Sequence, residues 1–476
     1  MRQNHLILLI ALLAIIFLRV ENASSHAVQQ LRTDDAVATV IADLEAYIPD
    51  AMRAAQVPGV SVALVWEGQM VWARGFGLAD TWSRAPVTPD TVFEAASLGK
   101  VVAAYLALQQ VEVGTLALDV PLDDYLATSW LPPDSAPDEI TLTDVLSHRS
   151  GLSNDSNGWR RDLLFPPGER FSYAGQGYYY MQQVLEEQGK ETVETLAANA
   201  IFSPLGMEST SFIKRDDLLP RQAPGHIPAL FPAGVFGLAF GVFWVGALIV
   251  FALFFRWRTG RWMLPWWAFL MAVVGAVVLT SAIIDWRFSR QYERAILGSG
   301  IPGVVLYFAL AGVGFVGLRK RLEQRWTRFL LVLWLGVAAG LVALIASQLF
   351  VPVSRSGIRE NVAFSLQATA GDLGLFLAEV MSPTLVDPAT AALLWEPQIA
   401  VNDQISWGLG AGIQHSPDGD SIWQWGANPG YQSLMVAYPA EKIGIVVLTN
   451  SSEGFALTRS IAQRALGGVG VWEIGE

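Results

Sequence analysis

A serine and a lysine three residues apart, Ser97 and Lys100, have the clearest potential for chemistry in this sequence. They stand just before an apolar run over residues 101–113 that predicts a helix closed by Gly114. The spacing of i and i+3 puts both side chains on one helix face, about one turn apart. A partly buried lysine can lose its proton near neutral pH and act as the base for a serine nucleophile. For so short a motif, the structural alternative is a serine that caps the helix beside a solvated lysine.

The sequence around this pair is more specific than the pair itself. Four stretches carry the signal: residues 74–80 (RGFGLAD), 93–100 (FEAASLGK), 111–126 (VEVGTLALDVPLDDYL) and 141–152 (TLTDVLSHRSGL). Together they resemble the serine β-lactamase-related family of class C β-lactamases, penicillin-binding DD-peptidases and related esterases. The resemblance covers both ends of the chain and none of its middle. It implies that Ser97 and Lys100 are catalytic.

The resemblance extends to the family's second motif, a tyrosine in Y-x-N. Tyr173 occupies the tyrosine position, so the resemblance implies a phenol that relays a proton between the nucleophile and the leaving group. Gly175 replaces the amide-bearing residue. We therefore expect the hydrogen bond from that residue to a substrate amide to be missing. A packed cluster of aromatic side chains is the structural alternative for the neighbouring tyrosines, Tyr178 to Tyr180.

The third family motif, K/H-x-G on a strand, corresponds to Gln424-Trp425-Gly426. Gly426 would let the backbone approach a substrate. The resemblance implies an oxyanion hole formed by the N–H groups of Ala427 and Ser97, a contribution of about 3 kcal/mol per donor. Gln424 stands where the family has a cation, and a neutral amide supplies no positive charge to a substrate carboxylate. We therefore expect poor turnover of β-lactams, and an ester or a different amide as substrate.

Other catalytic arrangements find little support. The chain has no cysteine and no H-E-x-x-H pair among its five histidines, so we expect neither a metal site nor a cofactor. It has no G-x-S-x-G elbow. Asp144 and His148 could suggest a Ser-His-Asp triad, but the corresponding family residues lie in a structural helix and turn. We interpret both as structural.

Charge is unevenly distributed along the chain. Residues 230–355 carry 12 Lys and Arg against three acids, a formal charge of +9. The whole chain has a charge of −12, so the remainder carries −21. A basic, apolar middle inside an acidic protein is not the pattern of a nucleic-acid binder, whose basic patch lies on a folded surface. It is typical of a membrane segment, and the predicted partner is the lipid bilayer.

Four apolar runs in this middle segment predict four transmembrane helices: 231–255, 264–284, 301–318 and 329–351. Helices buried in a large soluble core are the alternative. The first and third connectors carry eight positive charges and the second carries three, which predicts that the first and third face the cytoplasm. An even number of spans returns both flanking segments to the outer side. The apolar stretch 6–18 agrees with this because it resembles a secretory signal or an uncleaved anchor.

Periodicity in the two flanks predicts an α+β fold. Helical spacing covers residues 33–55, a β-hairpin follows at 60–66 and 70–73, and strands are predicted at 406–413, 421–425, 432–438 and 443–449. This pattern predicts an antiparallel sheet from both chain ends beside a helical region, interrupted by the membrane insertion. The family resemblance implies that the fold is of the β-lactamase/transpeptidase type. The predicted organisation is 1–26 signal or anchor, 27–228 and 356–476 as one domain in two parts, and 229–355 as the insertion.

The functional prediction is a membrane-bound serine hydrolase. Its substrate would be a small-molecule or peptide ester or amide, possessing a carbonyl that Ser97 attacks to form an acyl-enzyme. The alternative is a catalytically impaired membrane receptor, in which the same pocket binds or is acylated by a β-lactam-like ligand without turnover. The sequence indicates no oligomeric state.

Overall fold

A computed structural model describes residues 30–81, 83–132, 139–154, 161–228, 288–290, 360–468 and 470–474. The predicted export segment 1–26 and the four apolar runs of 229–355 lie outside the described residues. The predictions of an export signal and of four membrane spans therefore stay predictions. Across the described part of the chain, no helix combines the length and the apolar character needed to cross a bilayer.

A nine-stranded antiparallel sheet joins the two ends of the chain. The strands of the structure are β1 (Gly59–Trp66), β2 (Gln69–Asp80), β3 (Ala85–Pro86), β4 (Phe93–Ala96), β5 (His226–Pro228), β6 (Phe288–Arg290), β7 (Leu366–Ala368), β8 (Ile399–Ala400), β9 (Ile405–Trp407), β10 (Gly412–Gln414), β11 (Ser421–Asn428), β12 (Tyr431–Tyr438) and β13 (Ile443–Thr449). The sheet order is β3-β2-β1-β13-β12-β11-β10-β9-β8. The two flanks meet where β1 pairs with β13, from Val60 opposite Thr449 to Val65 opposite Gly444. This confirms the prediction of one sheet built from both ends.

Most of the predicted strands are confirmed, and one is wrong. The hairpin corresponds to β1 and β2, and the last three predicted strands correspond to β11, β12 and β13. The single strand expected over 406–413 is instead the hairpin of β9 and β10. Two glycines explain the break: a Cβ at Gly408 would overlap the carbonyl of Leu394, and Gly410 has a φ of +134°.

Helices cover both faces of the sheet. They are α1 (Val37–Ala55), α2 (Gly99–Glu112), α3 (Leu142–Leu146), α4 (Gly175–Gly189), α5 (Val193–Ala197), α6 (Ser203–Leu205), α7 (Ala370–Met381), α8 (Pro388–Ala392) and α9 (Phe455–Leu466), with a π-helical turn at Ala198–Phe202 and 3₁₀ turns at Leu122–Tyr125, Leu219–Arg221 and Leu393–Trp395. The helix predicted over 33–55 is confirmed as α1. It buries Val40, Leu44, Ile48 and Met52, one residue per turn on one face.

The sheet has an apolar core on each side. Alternate residues of β1 point to opposite faces. Val62 packs with Leu44 of α1 and Ile461 of α9 in one core. Ala63 packs in the other core with Leu377 of α7, where the helical region also lies. Because both faces are covered, β1 and β13 are buried along their whole length, and their sequences are nearly continuous apolar runs, interrupted by Ser61 in β1 and ending at Thr449 in β13.

A second, two-stranded sheet links the flanks beside the catalytic motif. Strand β4, which ends one residue before Ser97, pairs antiparallel with β7, with Phe93 opposite Ala368 and Ala96 opposite Leu366. Strand β7 belongs to the C-terminal flank. The segment that carries the serine is thereby held by residues from both ends of the chain.

Candidate active site

Ser97 lies in the sharp turn between β4 and α2. Ala96, the last residue of β4, has a φ of +51°, which is uncommon for a residue with a Cβ and costs conformational energy. Helix α2 begins at Gly99, so Ser97 precedes the helix and does not belong to it. The expected one-turn spacing is still present, because the Lys100 N–H donates to the Ser97 carbonyl at 3.1 Å. Ser97 remains partly exposed in this position.

Lys100 lies in the first turn of α2 and is only 2% exposed. Its Nζ is 2.9 Å from Ser97 Oγ and donates to the carbonyl oxygen of Ala363 at 2.6 Å. The Ser97 hydroxyl also reaches that carbonyl, at 3.2 Å. Burial lowers the pKa of Lys100 from its ordinary value of 10.5 to about 7. Near neutral pH the amine therefore has a lone pair available to accept the Ser97 proton.

Tyr173 lies just before α4 and completes the cluster. Its phenol hydrogen-bonds with Ser97 and accepts a hydrogen bond from Gln424 Nε2 at 2.9 Å. Lys100 Nζ lies 4.9 Å from the centre of the tyrosine ring. Burial raises the pKa of Tyr173 well above its ordinary value, and the hydrogen bonds with Ser97 and Gln424 offset part of that rise. The phenol keeps its proton at neutral pH, which leaves Lys100 as the base of the cluster.

Gln424 is fully buried, and its orientation is determined by its neighbours. Its Nε2 donates both to the Tyr173 hydroxyl and to the carbonyl of Trp425, at 2.8 Å in the second case. A flipped amide would set two oxygens against each other at Trp425, so the nitrogen must face the phenol. Tyr173 then accepts from Gln424, and its own hydrogen is free for Ser97 or for a leaving group. Gln424 thus has no positive charge, as the sequence predicts, but it donates a hydrogen bond to the tyrosine.

Gly426 and Ala427 lie on β11, which is held against β4. A Cβ at Gly426 would overlap the carbonyl oxygen of Ala95, so only glycine allows this approach. Asn428, at the end of β11, donates from Nδ2 to Glu94 Oε2 at 2.9 Å. The two predicted oxyanion donors, the N–H groups of Ser97 and Ala427, therefore lie at the ends of strands that are packed together. Their role in binding an oxyanion stays a prediction.

Gly175 is the first residue of α4 and lies beside Asn154. Its N–H donates to Asn154 Oδ1 at 3.0 Å. A Cβ at Gly175 would lie 3.2 Å from that oxygen and 3.8 Å from the Cβ of Ala363. The position that lacks the family's amide side chain is thus next to an exposed amide from a different loop.

Asp144 and His148 have structural partners. Asp144 forms a capping box with Thr141 at the start of α3 and pairs with Arg149 at 2.8 Å. His148 Nδ1 accepts from the N–H of Ala174 at 3.1 Å, and its ring lies 4.2 Å from that of Tyr173. Burial, and then the nearby Lys100, lower the pKa of His148 well below its ordinary value. His148 is therefore neutral and holds the loop that carries the tyrosine.

The sequence alone assigned no role to three residues of this site: Ala363, Asn154 and Trp425. Ala363 contributes a backbone carbonyl, which no side-chain pattern signals. Asn154 lies far from Gly175 in the chain, and its relevance follows from the contact alone. Trp425 was part of the motif already, and its size could have drawn attention: it is half-buried, and its ring lies 4.9 Å from that of Tyr173.

The arrangement is suited to nucleophilic attack on a carbonyl. A serine hydroxyl lies within hydrogen-bond distance of an amine whose pKa burial lowers to about 7 and of a protonated phenol, beside a strand end that is open to solvent at Ala427. In the part of the chain that the structure describes, no group of three or more His, Asp or Glu side chains is placed to hold a metal ion.

Comparison with known proteins identifies a matching family and individual relatives that match part of the chain. A family model described as Beta-lactamase matches residues 44–285 and 288–467. Penicillin-binding protein 4 of Amycolatopsis lactamdurans is 28% identical over 204 residues, which are 38% of this chain and 52% of that protein. Esterase EstB of Burkholderia gladioli is 33% identical over 121 residues, 24% of this chain and 30% of the esterase. The chain thus spans about half, or less, of the length of these relatives.

A solved structure extends the similarity to the fold. The crystal structure of D-amino acid amidase from Ochrobactrum anthropi SV3, complexed with L-phenylalanine amide, is similar with a TM-score of 0.58 and 16% sequence identity. The similarity covers 90% of this chain and 97% of the amidase chain. At this identity the likeness shows the fold, which is of the β-lactamase/transpeptidase type.

Proposed function

This chain belongs to the Beta-lactamase family, and on that premise we propose that it is a serine hydrolase that cleaves an uncharged ester or amide through an acyl-enzyme. The observation that carries the proposal is the contact between Ser97 Oγ and Lys100 Nζ at 2.9 Å, in a site where burial lowers the lysine pKa to about 7. The similarity to proteins named as an esterase and a D-amino acid amidase supports the same class of reaction.

Acylation begins with proton transfer from Ser97 to the neutral amine of Lys100. The freed Oγ attacks the substrate carbonyl carbon, and the negative charge that develops on the carbonyl oxygen is stabilised by the N–H groups of Ser97 and Ala427. The C–O or C–N bond to the leaving group then breaks. Tyr173 donates its proton to the departing oxygen or nitrogen and recovers a proton from the Lys100 ammonium. The products of this half-reaction are an ester on Ser97 and a neutral alcohol or amine.

Deacylation reverses these proton movements with water as the nucleophile. Lys100, again neutral, accepts a proton from the attacking water directly or through Tyr173. The bond between the acyl carbon and Ser97 Oγ breaks, Ser97 regains a proton, and a carboxylic acid leaves.

The absence of charge at Gln424 supports an uncharged substrate. Both hydrogens of its amide nitrogen are used by the Tyr173 hydroxyl and the Trp425 carbonyl. Lys100 must be neutral when the substrate binds, and it is 2% exposed, so it does not pair with a substrate carboxylate either. Substrates without a carboxylate next to the scissile bond are therefore favoured over penicillins, and we expect slow turnover of β-lactams.

We also propose that the protein is anchored in the cytoplasmic membrane by residues 229–355, with the catalytic domain on the outer side. The apolar runs and the distribution of arginines in the sequence support this topology. The pairing of β5 with β6 adds further support. Strand β6 lies in the connector between the second and third predicted spans, and β5 lies at the edge of the catalytic domain. A four-span topology requires that connector and the domain to be on the same side.

A test of the topology fuses alkaline phosphatase to the chain, starting at residue 1 and truncated after a chosen residue. Alkaline phosphatase folds to an active form only outside the cytoplasm. A fusion after Gly298, in the second connector, should therefore be active, and a fusion after Gly260, in the first connector, should be inactive. Equal activity of the two fusions, or release of the unfused protein from membranes by alkaline carbonate, would contradict the proposed insertion.

A test of the hydrolase uses the full-length protein with p-nitrophenyl esters, D-amino acid amides and a chromogenic cephalosporin. We expect hydrolysis of an uncharged ester or amide that Ser97→Ala abolishes. Labelling with a carbonyl-directed active-site ester, followed over time by mass spectrometry, separates the alternatives. An adduct on Ser97 that decays indicates an enzyme, a persistent adduct indicates the receptor, and no adduct contradicts both.

A further inference from the structure

The described residues on either side of the segment 229–359 lie close to the catalytic cluster. On the upstream side, the N–H of His226 donates to the carbonyl of Asn450 at 2.9 Å and to the carbonyl of Gly430 at 3.2 Å. Gly430 lies in the turn that follows β11, whose end carries Ala427. The approach is close, because a Cβ at Gly225 would lie 3.0 Å from the Cα of Gly430. The upstream end is therefore attached next to the predicted oxyanion donor.

The downstream end is attached next to the nucleophile. Ala363 lies four residues into the described chain after the segment, and its carbonyl accepts from both Lys100 and Ser97. The adjacent Phe364 carbonyl accepts from Asn428 Nδ2 at 3.1 Å. The end of β11 thus lies between the two attachment points.

The length of chain limits how far the cluster is from the proposed membrane. Phe231, where the first apolar run begins, lies five positions after His226, and an extended chain of that length reaches at most about 17 Å. A domain of this size has a radius of gyration of about 20 Å. His226, and the turn at Gly430 that it contacts, therefore lie on the membrane-facing half of the domain rather than on its far side.

The wall of the site nearest Tyr173 is apolar and partly open. Trp425 and Phe171 are both half-buried, and both pack against the same core as Tyr173. Gln424, on the same strand as Trp425, contributes no charge. An acyl chain or an aromatic group could lie on this wall without leaving a buried charge unpaired.

We propose that the substrate is a membrane-dissolved amphiphile, whose uncharged ester or amide bond reaches Ser97 from the bilayer surface while its apolar part lies on Trp425. This proposal rests on the proposed hydrolase and on the proposed membrane anchor. It adds the substrate class: the scissile carbonyl belongs to a lipid-like molecule and not to a water-soluble one.

The experiment uses the full-length protein in phosphatidylcholine vesicles and two esters with the same leaving group. p-Nitrophenyl acetate is water-soluble, and p-nitrophenyl palmitate is dissolved in the same vesicles. At equal bulk concentrations below saturation, we expect the palmitate to be hydrolysed at least tenfold faster, with both rates lost in Ser97→Ala. Trp425→Ala should lower the ratio of the two rates at least threefold. Val113→Ser, which replaces an apolar residue that is 72% exposed at the end of α2, should leave the ratio unchanged.

Each outcome separates the substrate class from the function. Ser97-dependent hydrolysis of acetate without a preference for palmitate overturns the membrane-dissolved substrate and leaves the hydrolase intact. No Ser97-dependent hydrolysis of either ester overturns the hydrolase itself. A ratio that both Trp425→Ala and the polar replacement Trp425→Gln leave unchanged, in variants with wild-type melting temperatures, overturns the role of the tryptophan wall.

Discussion

Ser97 and Ser406 each lie 2.9 Å from a titratable nitrogen, but in very different surroundings. Ser97 faces Lys100 in the interior. Ser406, on β9, faces His415 Nε2, whose Nδ1 is 3.0 Å from Asp420 Oδ2. Judged by hydrogen bonds alone, the second cluster has the nucleophile, base and orienting acid of a Ser-His-Asp triad.

Burial and backbone geometry separate the two clusters. Lys100 is 2% exposed, whereas the side chains of His415 and Asp420 are 39% and 59% exposed. Ser97 lies in a turn with an open strand end beside it, whereas Ser406 is paired on both sides, with β8 and with β10. The attraction between an imidazolium and a carboxylate is weak when both are exposed to water. A serine on a strand that is paired on both sides also has no N–H free to bind an oxyanion. Hydrogen-bond distances therefore do not define a catalytic site by themselves.

The largest difference between the clusters should be seen when each serine is removed. We expect Ser97→Ala to lower kcat/KM for p-nitrophenyl acetate by at least about 10³-fold, because the nucleophile is lost. Ser406→Ala should stay within about twofold of wild type. If Ser406→Ala instead removes most of the activity, the exposed triad is the reactive centre and the assignment of Ser97 is wrong.

A large effect on stability should follow from removing the buried amine. The pKa of Lys100 is about 7 in the folded chain and returns to about 10.5 on unfolding. As the pH falls from 10.5 to about 7, the unfolded chain therefore binds a proton that the folded chain does not, and the free energy of unfolding decreases. We expect Lys100→Met to raise the free energy of unfolding by about 3 kcal/mol at and below pH 7, after allowance for the lost hydrogen bond to Ala363. The gain should vanish as the pH approaches 10.5. Denaturant titrations at pH 7 and pH 10 measure it.

A matched change in the exposed cluster provides the control for this stability effect. His415→Ala should change the free energy of unfolding by less than about 1 kcal/mol at either pH, because exposed pairs contribute little. A Lys100→Met variant no more stable than wild type at pH 7 would show that the lysine is not desolvated as the structure indicates.

The phenol should matter less than the nucleophile. We expect Tyr173→Phe to lower kcat about 10²-fold, with little change in KM, because it removes a proton donor to the leaving group. The acidic limb of the pH profile of kcat/KM should stay near pH 7 in this variant. Activity falls below that pH because protonated Lys100 cannot accept the serine proton. A limb that moves or disappears in Tyr173→Phe would identify the tyrosine as the base.

The smallest of these effects should come from the amide that orients the phenol. Gln424→Leu removes one hydrogen bond to Tyr173 and should lower kcat about tenfold. Gln404→Leu, an exposed glutamine near the Ser406 cluster, is the matched control and should have no effect. Gln424→Lys restores a donor to Tyr173 and adds charge, so the chromogenic cephalosporin should be turned over faster relative to an uncharged ester. An unchanged ratio would show that Gln424 does not set the preference for uncharged substrates.

Local patterns were predicted well from the sequence. Helix α1 and the strands β11 to β13 were predicted from the spacing of apolar residues, because the period of that spacing is visible within each segment of the sequence. The strand predicted over 406–413 was wrong for a tertiary reason. Gly408 has no room for a side chain against Leu394, and that contact is not visible along the chain. A sheet joining both ends of the chain was expected from the strand patterns of the two flanks, but the pairing of β1 with β13 within that sheet is known only from the structure.

The residues of the site also fall into those that the sequence predicted and those that only the tertiary structure identified. Ser97 and Lys100 were found because they are three residues apart, and Tyr173 and Gln424 because their motifs match those of a family. Ala363 was missed because its contribution is a backbone carbonyl, which any residue has.

By itself, the sequence determined which groups this protein possesses: a serine one turn from a lysine, a phenol, a neutral amide in place of a cation, and no thiol at all. The tertiary structure decided the protonation state of the lysine near neutral pH. An amine on an exposed helix would be an ammonium at pH 7. Here the folded chain removes water from Lys100 and places a carbonyl from the distant C-terminal flank at its nitrogen. Its pKa depends on that desolvation, which is a property of everything packed around the side chain and of no residue alone.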